Sequence, residues 1–115
     1  MIVDDDTAFL KVARALLERE GITVAGVAQG GGEAAARTEQ LRPDVVLIDI
    51  SLGQESGFDV ARRLAGDGQP ATLIMISTHS EADYADLIAE SPVAGFLPKT
   101  DLSVAAIQRI LGQPR

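Results

Sequence analysis

The fold is decided by the stretch Pro43-Asp44-Val45-Val46-Leu47-Ile48-Asp49. Four consecutive aliphatic residues, three of them β-branched, follow a proline and predict a strand that is buried on both faces of a sheet. Asp49 stands at the end of this strand. In open parallel α/β sheets, ligands bind in the crevice beyond the carboxyl ends of the strands. We therefore predict that Asp49 is the reactive group.

Outside this stretch, short apolar runs alternate with helical patterns. Five such units predict a parallel sheet with helices on both faces. The apolar runs cover 1–3, 22–27, 43–49, 71–76 and 93–97, and the helical patterns follow at 9–20, 34–41, 58–65, 81–90 and 103–111. The first run is short for a central strand, so we expect either a trimmed start or a stub, with a stability cost.

Composition narrows the possible functions. A chain of 115 residues, 46% apolar and 23% charged, is typical of one soluble domain, and we expect no output domain within residues 1–115. The absence of cysteine excludes disulfides and thiol chemistry. A formal net charge of −7 argues against nucleic-acid binding by this chain alone. No segment has the length of a membrane span or the pattern of an export signal, so we expect a cytoplasmic protein without membrane contact.

Polar side chains follow four of the predicted strands. Asp4 and Asp5 follow the first, Asp49 ends the third, Ser77 follows the fourth and Lys99 follows the fifth. Because the carboxyl ends of parallel strands lie at one edge, and crossovers are right-handed, we expect three carboxylates in one crevice.

Crowded carboxylates raise one another's pKa or require a cation. Mg²⁺ suits such a site, since it uses one or two carboxylates, several waters and a phosphate. Lys99 offers a charge for that phosphate and Ser77 a hydroxyl donor. The predicted chemistry is an aspartyl phosphate formed on Asp49.

These residues resemble the receiver domain of two-component response regulators over essentially the whole chain. The resemblance is carried, in order, by Ile2-Val3-Asp4-Asp5, by Val46-Leu47-Ile48-Asp49 with Gly57 at the family spacing, and by Ser77 and Lys99. It implies a flavodoxin-like sheet of strand order 2-1-3-4-5.

The same resemblance implies a site and partners. Asp5 and Asp49 would bind Mg²⁺ directly, Asp4 through water, and the backbone carbonyl of Ser51 would be a further ligand. A sensor histidine kinase would supply the phosphoryl group from a phosphohistidine. Phosphorylation would reshape the face made by the fourth helix, fifth strand and fifth helix, through which a homodimer could form. Receivers joined to LuxR-type helix-turn-helix outputs are the most similar kind.

Several positions depart from the family pattern or modulate it. Phe96 occupies the aromatic switch position often held by tyrosine, and Gly53 stands where a proline is common, which predicts a looser loop. Ser51 and His79 lie two residues beyond the phosphoacceptor and the hydroxyl residue, where the family tunes the lifetime of the phosphoryl group. The simpler interpretation, that His79 is an ordinary exposed loop residue, is favoured over this role.

Two features have simpler explanations, and two other functions stay open. Asp6 is expected to cap a helix, and the glycines at 30–32 to form a flexible helix entry, because no Lys-Ser/Thr follows them.

A degenerate receiver could act unphosphorylated as a docking module. The run Asp4-Asp5-Asp6 also imitates the D-x-D opening of haloacid-dehalogenase-like phosphatases, although residue 8 is alanine and there is no room for a cap.

Overall fold

The strand that ends on Asp49 lies at the centre of a five-stranded parallel sheet. We describe residues 1–112 from a computed structural model. The sheet strands are β1 Ile2–Val3, β2 Val27–Ala28, β3 Val45–Asp49, β4 Thr72–Ser77 and β5 Gly95–Pro98. The helices are α1 Thr7–Arg19, α2 Gly31–Leu41, α3 Gly57–Gly66, α4 Ala85–Glu90 and α5 Val104–Leu111.

The strand order is β2-β1-β3-β4-β5, which is the flavodoxin-like order 2-1-3-4-5. All the pairs are parallel, and the register sets Ile2 opposite Leu47 and Asp49 opposite Ile76. The order reverses beside β1. The ends of β1 and β3 therefore meet at the switch point where this class of fold binds its ligands.

Apolar residues fill both faces of the sheet, as the continuous aliphatic run of β3 predicts. Alternate β3 residues serve opposite sides: Val46 and Ile48 join the core beneath α2 and α3, and Leu47 joins the core beneath α1 and α5. Neither Val46 nor Ile48 retains any solvent exposure. The sheet is thus a rigid floor for the polar residues at its carboxyl edge.

Side-chain caps define where several helices begin. Asp6 accepts hydrogen bonds from the backbone N–H groups of Ala8 and Phe9 at the start of α1. Ser56 and Ser103 cap α3 and α5 in the same way. These bonds satisfy backbone donors that a helix leaves free in its first turn. The cap predicted for Asp6 is therefore confirmed.

The second strand and the fourth helix differ from the sequence prediction. Residues 22–27 were expected to form a strand, whereas β2 pairs only at Val27 and Ala28. The reason is that β1, its sheet partner, has only two paired residues and offers no longer ladder. The segment predicted to be helical at 81–90 begins with a 3₁₀ turn, Glu81–Tyr84, before the α-helix starts at Ala85.

The connection from β3 to α3 contains a short antiparallel hairpin. Ser51 pairs with Ser56, and Leu52 pairs with Glu55. Gly53 lies in the turn with a φ of +68°, a left-handed conformation that glycine adopts without strain. The loop after Asp49 is therefore a paired hairpin, and its predicted looseness stays a prediction.

Candidate functional site

Three carboxylates converge where β1 and β3 end. Asp4, Asp5 and Asp49 each offer an oxygen, and these oxygens all lie within 4.8 Å of one another. Asp4 is fully buried and Asp49 is 7% exposed, whereas Asp5 is open to solvent. Asp4 and Asp5 directly follow β1 and Asp49 ends β3, and these two strands pair, so the sheet holds the three charges together.

Lys99 approaches this cluster from the end of β5. Its Nζ lies 2.6 Å from Asp4 Oδ2 and 3.4 Å from Asp49 Oδ2. The same ammonium lies 4.3 Å from the centre of the Phe9 ring, in the range of a cation–π contact. Within residues 1–112, Lys99 is the cation that pairs with Asp4 and Asp49, so the cluster of three carboxylates keeps a negative excess.

The environment raises the pKa of Asp49 from its ordinary 3.8 to about 6. Burial is the main cause and the charge of Asp4 the second, and both outweigh the opposing influence of Lys99. For Lys99, burial opposes the charged form, but the contact with Asp4 and the charge of Asp49 leave its pKa above the ordinary value. In the metal-free protein, the positive charge of Lys99 therefore does not fully compensate the burial of ionised Asp49 and its repulsion by Asp4.

The donor set fits a hard divalent cation. Oxygen atoms of carboxylates are the ligands that Mg²⁺ prefers. The buried Oδ2 of Asp4 has the ammonium of Lys99 as its polar partner, at 2.6 Å. Asp4, Asp5 and Asp49 therefore form an acidic pocket whose ligand atoms suit Mg²⁺.

Ser77 is the last residue of β4, and His79 follows it by two residues. Ser77 is buried and lies one residue beyond Ile76, which pairs with Asp49. Its Oγ accepts a hydrogen bond from the backbone N–H of His79 at 3.0 Å. The side chain of His79 is exposed, and its ring meets that of Tyr84 edge-on at 6.2 Å between centroids.

The remaining predicted positions lie at different depths. Ser51 is exposed in the hairpin, and its backbone N–H donates to Asp49 Oδ1 at 3.4 Å. Phe96 is buried in β5, opposite Met75 of β4. The ring therefore lies inside the core, several residues before Lys99 in the chain.

Two contacts at the site, made by Phe9 and Gly57, have no signal in the local sequence. The Phe9 ring lies against the ammonium of Lys99. A Cβ built on Gly57 would lie 2.0 Å from the backbone carbonyl oxygen of Asp49. The close approach of the start of α3 to the end of β3 demands glycine there. No local sequence pattern predicts either contact, because each contact joins residues from different elements.

Comparisons with known proteins agree with this geometry. Residues 1–110 match the family described as the response regulator receiver domain. A putative transcriptional regulator of Pseudomonas aeruginosa is 29% identical over 101 residues, 88% of this chain and 49% of that protein. The DNA-binding transcriptional activator EvgA of Escherichia coli (strain K12) is 28% identical over 88% of this chain and 50% of its own length. The chain thus spans about half the length of these relatives.

Solved structures show the same fold. A two-component response regulator of the LuxR family from Aurantimonas aligns with a TM-score of 0.88 at 28% identity, covering 100% of this chain and 85% of that one. The signal receiver domain of the putative regulator NarL from Mycobacterium tuberculosis aligns at 0.83 and 26% identity, covering 97% and 94%. In the described part of the chain, every helix is too short or too polar to span a bilayer. The sheet order, the acidic edge and the match over residues 1–110 together lead to one assignment: this chain belongs to the response regulator receiver domain family.

Proposed function

We propose that the chain is a phosphorylation-dependent switch in which Asp49 accepts a phosphoryl group. The observation that carries the proposal is the meeting of Asp4, Asp5 and Asp49 with Lys99 at the carboxyl edge of the sheet. In the transfer, a carboxylate oxygen of Asp49 forms a bond to phosphorus while the bond from phosphorus to the donor nitrogen breaks. A phosphohistidine of a sensor histidine kinase is the donor, in keeping with family membership.

Asp5 and Asp49 would hold Mg²⁺ directly, with Asp4 acting through water and the backbone carbonyl of Ser51 as a further ligand. Bound Mg²⁺ supplies positive charge that favours the ionised, nucleophilic form of Asp49 and offsets charge on the phosphoryl oxygens. The raised pKa of Asp49 supports this assignment, because burial and the charge of Asp4 disfavour the carboxylate that the reaction needs.

Lys99 and Ser77 would bind the phosphoryl oxygens. The ammonium of Lys99 already contacts Asp49, so it needs only a small movement to pair with a group attached to that carboxylate. The Ser77 hydroxyl, which accepts a bond from the backbone of His79, keeps its own proton free to donate. Both residues therefore stabilise the phosphorylated form without taking part in bond breaking.

The response to phosphorylation would pass through Phe96 and the surface formed by α4, β5 and α5. Movement of Ser77 toward the phosphoryl group shifts the end of β4, against which β5 pairs. This local charge event biases a two-state surface. A homodimer formed through this surface is the proposed output. Given the similarity to EvgA and the LuxR-family regulator, we also propose that the receiver operates beside a DNA-binding domain.

Intact mass after incubation with acetyl phosphate tests the proposal. We expect a phosphoryl adduct that requires Mg²⁺, is lost in base and is absent from Asp49→Asn. The matched control is Asp67→Asn, which removes an exposed carboxylate and should leave the adduct unchanged. A folded protein that forms no adduct would refute the switch and favour the docking module. Repeated turnover of small phosphoesters would favour the phosphatase, although the Asp6 side chain is engaged in capping α1.

His79 and Ser51 are proposed to influence the lifetime of the phosphoryl group. The exposed His79 follows Ser77 by two residues and can screen the site from water. We expect His79→Ala to change the dephosphorylation rate measured between pH 6 and 8. A rate that matches wild type at every pH would leave His79 as an ordinary loop residue.

A further inference from the structure

The hairpin that follows β3 touches a second helix through Glu55. A carboxylate oxygen of Glu55, Oε1, accepts a hydrogen bond from the backbone N–H of Gly31 at 2.5 Å. Gly31 is the first residue of α2, and the preceding Gly30 has no side chain with which to cap that helix. A carboxylate is favoured at a helix N-terminus, because free N–H groups and the positive end of the helix dipole meet there. Glu55 therefore caps α2 from another element.

Two glycines make room for this contact. A Cβ built on Gly30 would lie 3.0 Å from Glu55 Oε1, and one built on Gly31 would lie 2.8 Å from Oε2 and 3.1 Å from Val60 Cγ2. Nothing lies within 4 Å of the corresponding position at Gly32. The run of glycines at 30–32 thus has a specific use at its first two residues, beyond the flexible helix entry expected from sequence.

The other side of the same hairpin faces the acidic cluster. The backbone N–H of Ser51 donates to Asp49 Oδ1, and a Cβ on Gly53 would lie 3.5 Å from Asp5 Oδ2. Leu52 pairs with Glu55 across the hairpin. A shift of Glu55 is therefore transmitted through one pair of backbone segments to residues that touch the carboxylates.

We propose that Glu55 is a positioning residue for the metal and phosphorylation site. Its bond to α2 holds the hairpin, and with it Ser51 and Gly53, at a set distance from Asp5 and Asp49. This inference rests on the proposed function, since it concerns the same site. Groups that orient metal ligands from outside the ligand shell commonly affect metal affinity about 10- to 100-fold. The anchoring contact joins residues 24 positions apart in the chain.

Three variants test the contact. Glu55→Ala removes the carboxylate. Gly31→Ala keeps the charge of Glu55 but places a methyl group against its Oε2. Gly32→Ala adds the same methyl group one residue later, in open space, and is the matched control. Because Gly31→Ala leaves the net charge unaltered, a loss of Mg²⁺ affinity in that variant cannot come from weaker long-range attraction.

The measurements are the Mg²⁺ dissociation constant by calorimetry, the phosphorylation rate with acetyl phosphate at saturating Mg²⁺, and hydrogen exchange of the amides in 51–56 without metal. We expect Glu55→Ala and Gly31→Ala each to weaken Mg²⁺ binding roughly tenfold, to slow phosphorylation and to speed exchange. Gly32→Ala should match wild type. The double variant should be no worse than either single one, because both changes break one contact.

Two results would overturn the positioning role. One is wild-type Mg²⁺ affinity and phosphorylation in both Glu55→Ala and Gly31→Ala, even if both unfold more easily. The other is additive losses in the double variant. If wild type itself neither binds Mg²⁺ nor accepts a phosphoryl group, the proposed function fails. Hydrogen exchange of the amides in 51–56 then tests the anchoring by Glu55 independently of the proposed function. Exchange rates equal to wild type in Glu55→Ala and Gly31→Ala overturn the anchoring, and faster rates in both variants support it.

Discussion

Replacing Asp49 by asparagine should stabilise the metal-free protein. The pKa of Asp49 lies at about 6 in the folded protein, against 3.8 ordinarily, a difference of about 2.2 pH units. Because the folded pKa is raised, the folded state binds more protons than the unfolded state between these values, and wild type loses stability as the pH rises through them. At about 1.36 kcal/mol per unit, the full loss is about 3 kcal/mol above pH 7.

Asp49→Asn removes this loss, since the amide carries no charge. At pH 8 in a chelator we expect a gain of about 2 to 3 kcal/mol in the free energy of unfolding. The melting temperature should rise by roughly 10 °C for a domain of this size. At pH 4.5, where Asp49 is mostly protonated in the folded state, the gain should fall to about 1 kcal/mol.

Urea unfolding followed by circular dichroism at both pH values, with chelator, measures the effect. The exposed Asp67→Asn loses the same formal charge and should move the free energy of unfolding by less than about 0.5 kcal/mol at either pH. Equal stability of wild type and Asp49→Asn at pH 8 would refute the reasoning. So would a gain that is the same at pH 4.5 and pH 8, because it could not come from ionisation.

Three further outcomes follow from the same geometry. Lys99→Met leaves its two buried carboxylate partners unpaired, so urea unfolding without metal should show a loss of about 3 kcal/mol. Gly57→Ala forces a methyl group against the carbonyl oxygen of Asp49 and should cost more than about 3 kcal/mol, whereas Gly66→Ala, which has open space in a helix, should be neutral or stabilising in the same assay. Mg²⁺ at one hundred times its dissociation constant should raise the free energy of unfolding of wild type by about 2.7 kcal/mol, and Asp5→Asn should show a smaller rise at that concentration.

Much of the fold follows from local sequence patterns. The aliphatic run before Asp49, the alternation of apolar runs with helices, and the cap at Asp6 depend on residues at most a few positions apart. The side-chain periodicity of strands and helices, and the capping of helices, are encoded in such short-range patterns. The convergence of polar residues at one edge then follows from parallel strands with right-handed crossovers, whereas the strand order 2-1-3-4-5 was expected from the resemblance to receiver domains and is confirmed by the structure.

The extent of each strand could not be predicted in the same way. The segment from residue 22 to 26 has the composition of a strand, yet its pairing with β1 is limited to the Gly26 carbonyl, which accepts a hydrogen bond from the Ile2 N–H, because β1 comprises only Ile2–Val3. The hairpin at 51–56 was likewise hidden, because its pairing depends on the left-handed turn at Gly53 and on no alternation of apolar residues. The available pairing partners, and not the strand propensity of the residues, determined both the extent of β2 and the formation of the hairpin.

By itself, the sequence determined which chemical groups stand at the carboxyl edge of the sheet and on which strands. Only the tertiary structure decided that Lys99 pairs more closely with Asp4 than with Asp49, that burial raises the pKa of Asp49, and that Glu55 reaches Gly31. The physical reason is that distances and desolvation arise from packing between elements far apart in the chain, whereas sequence patterns report only the conformation of neighbours.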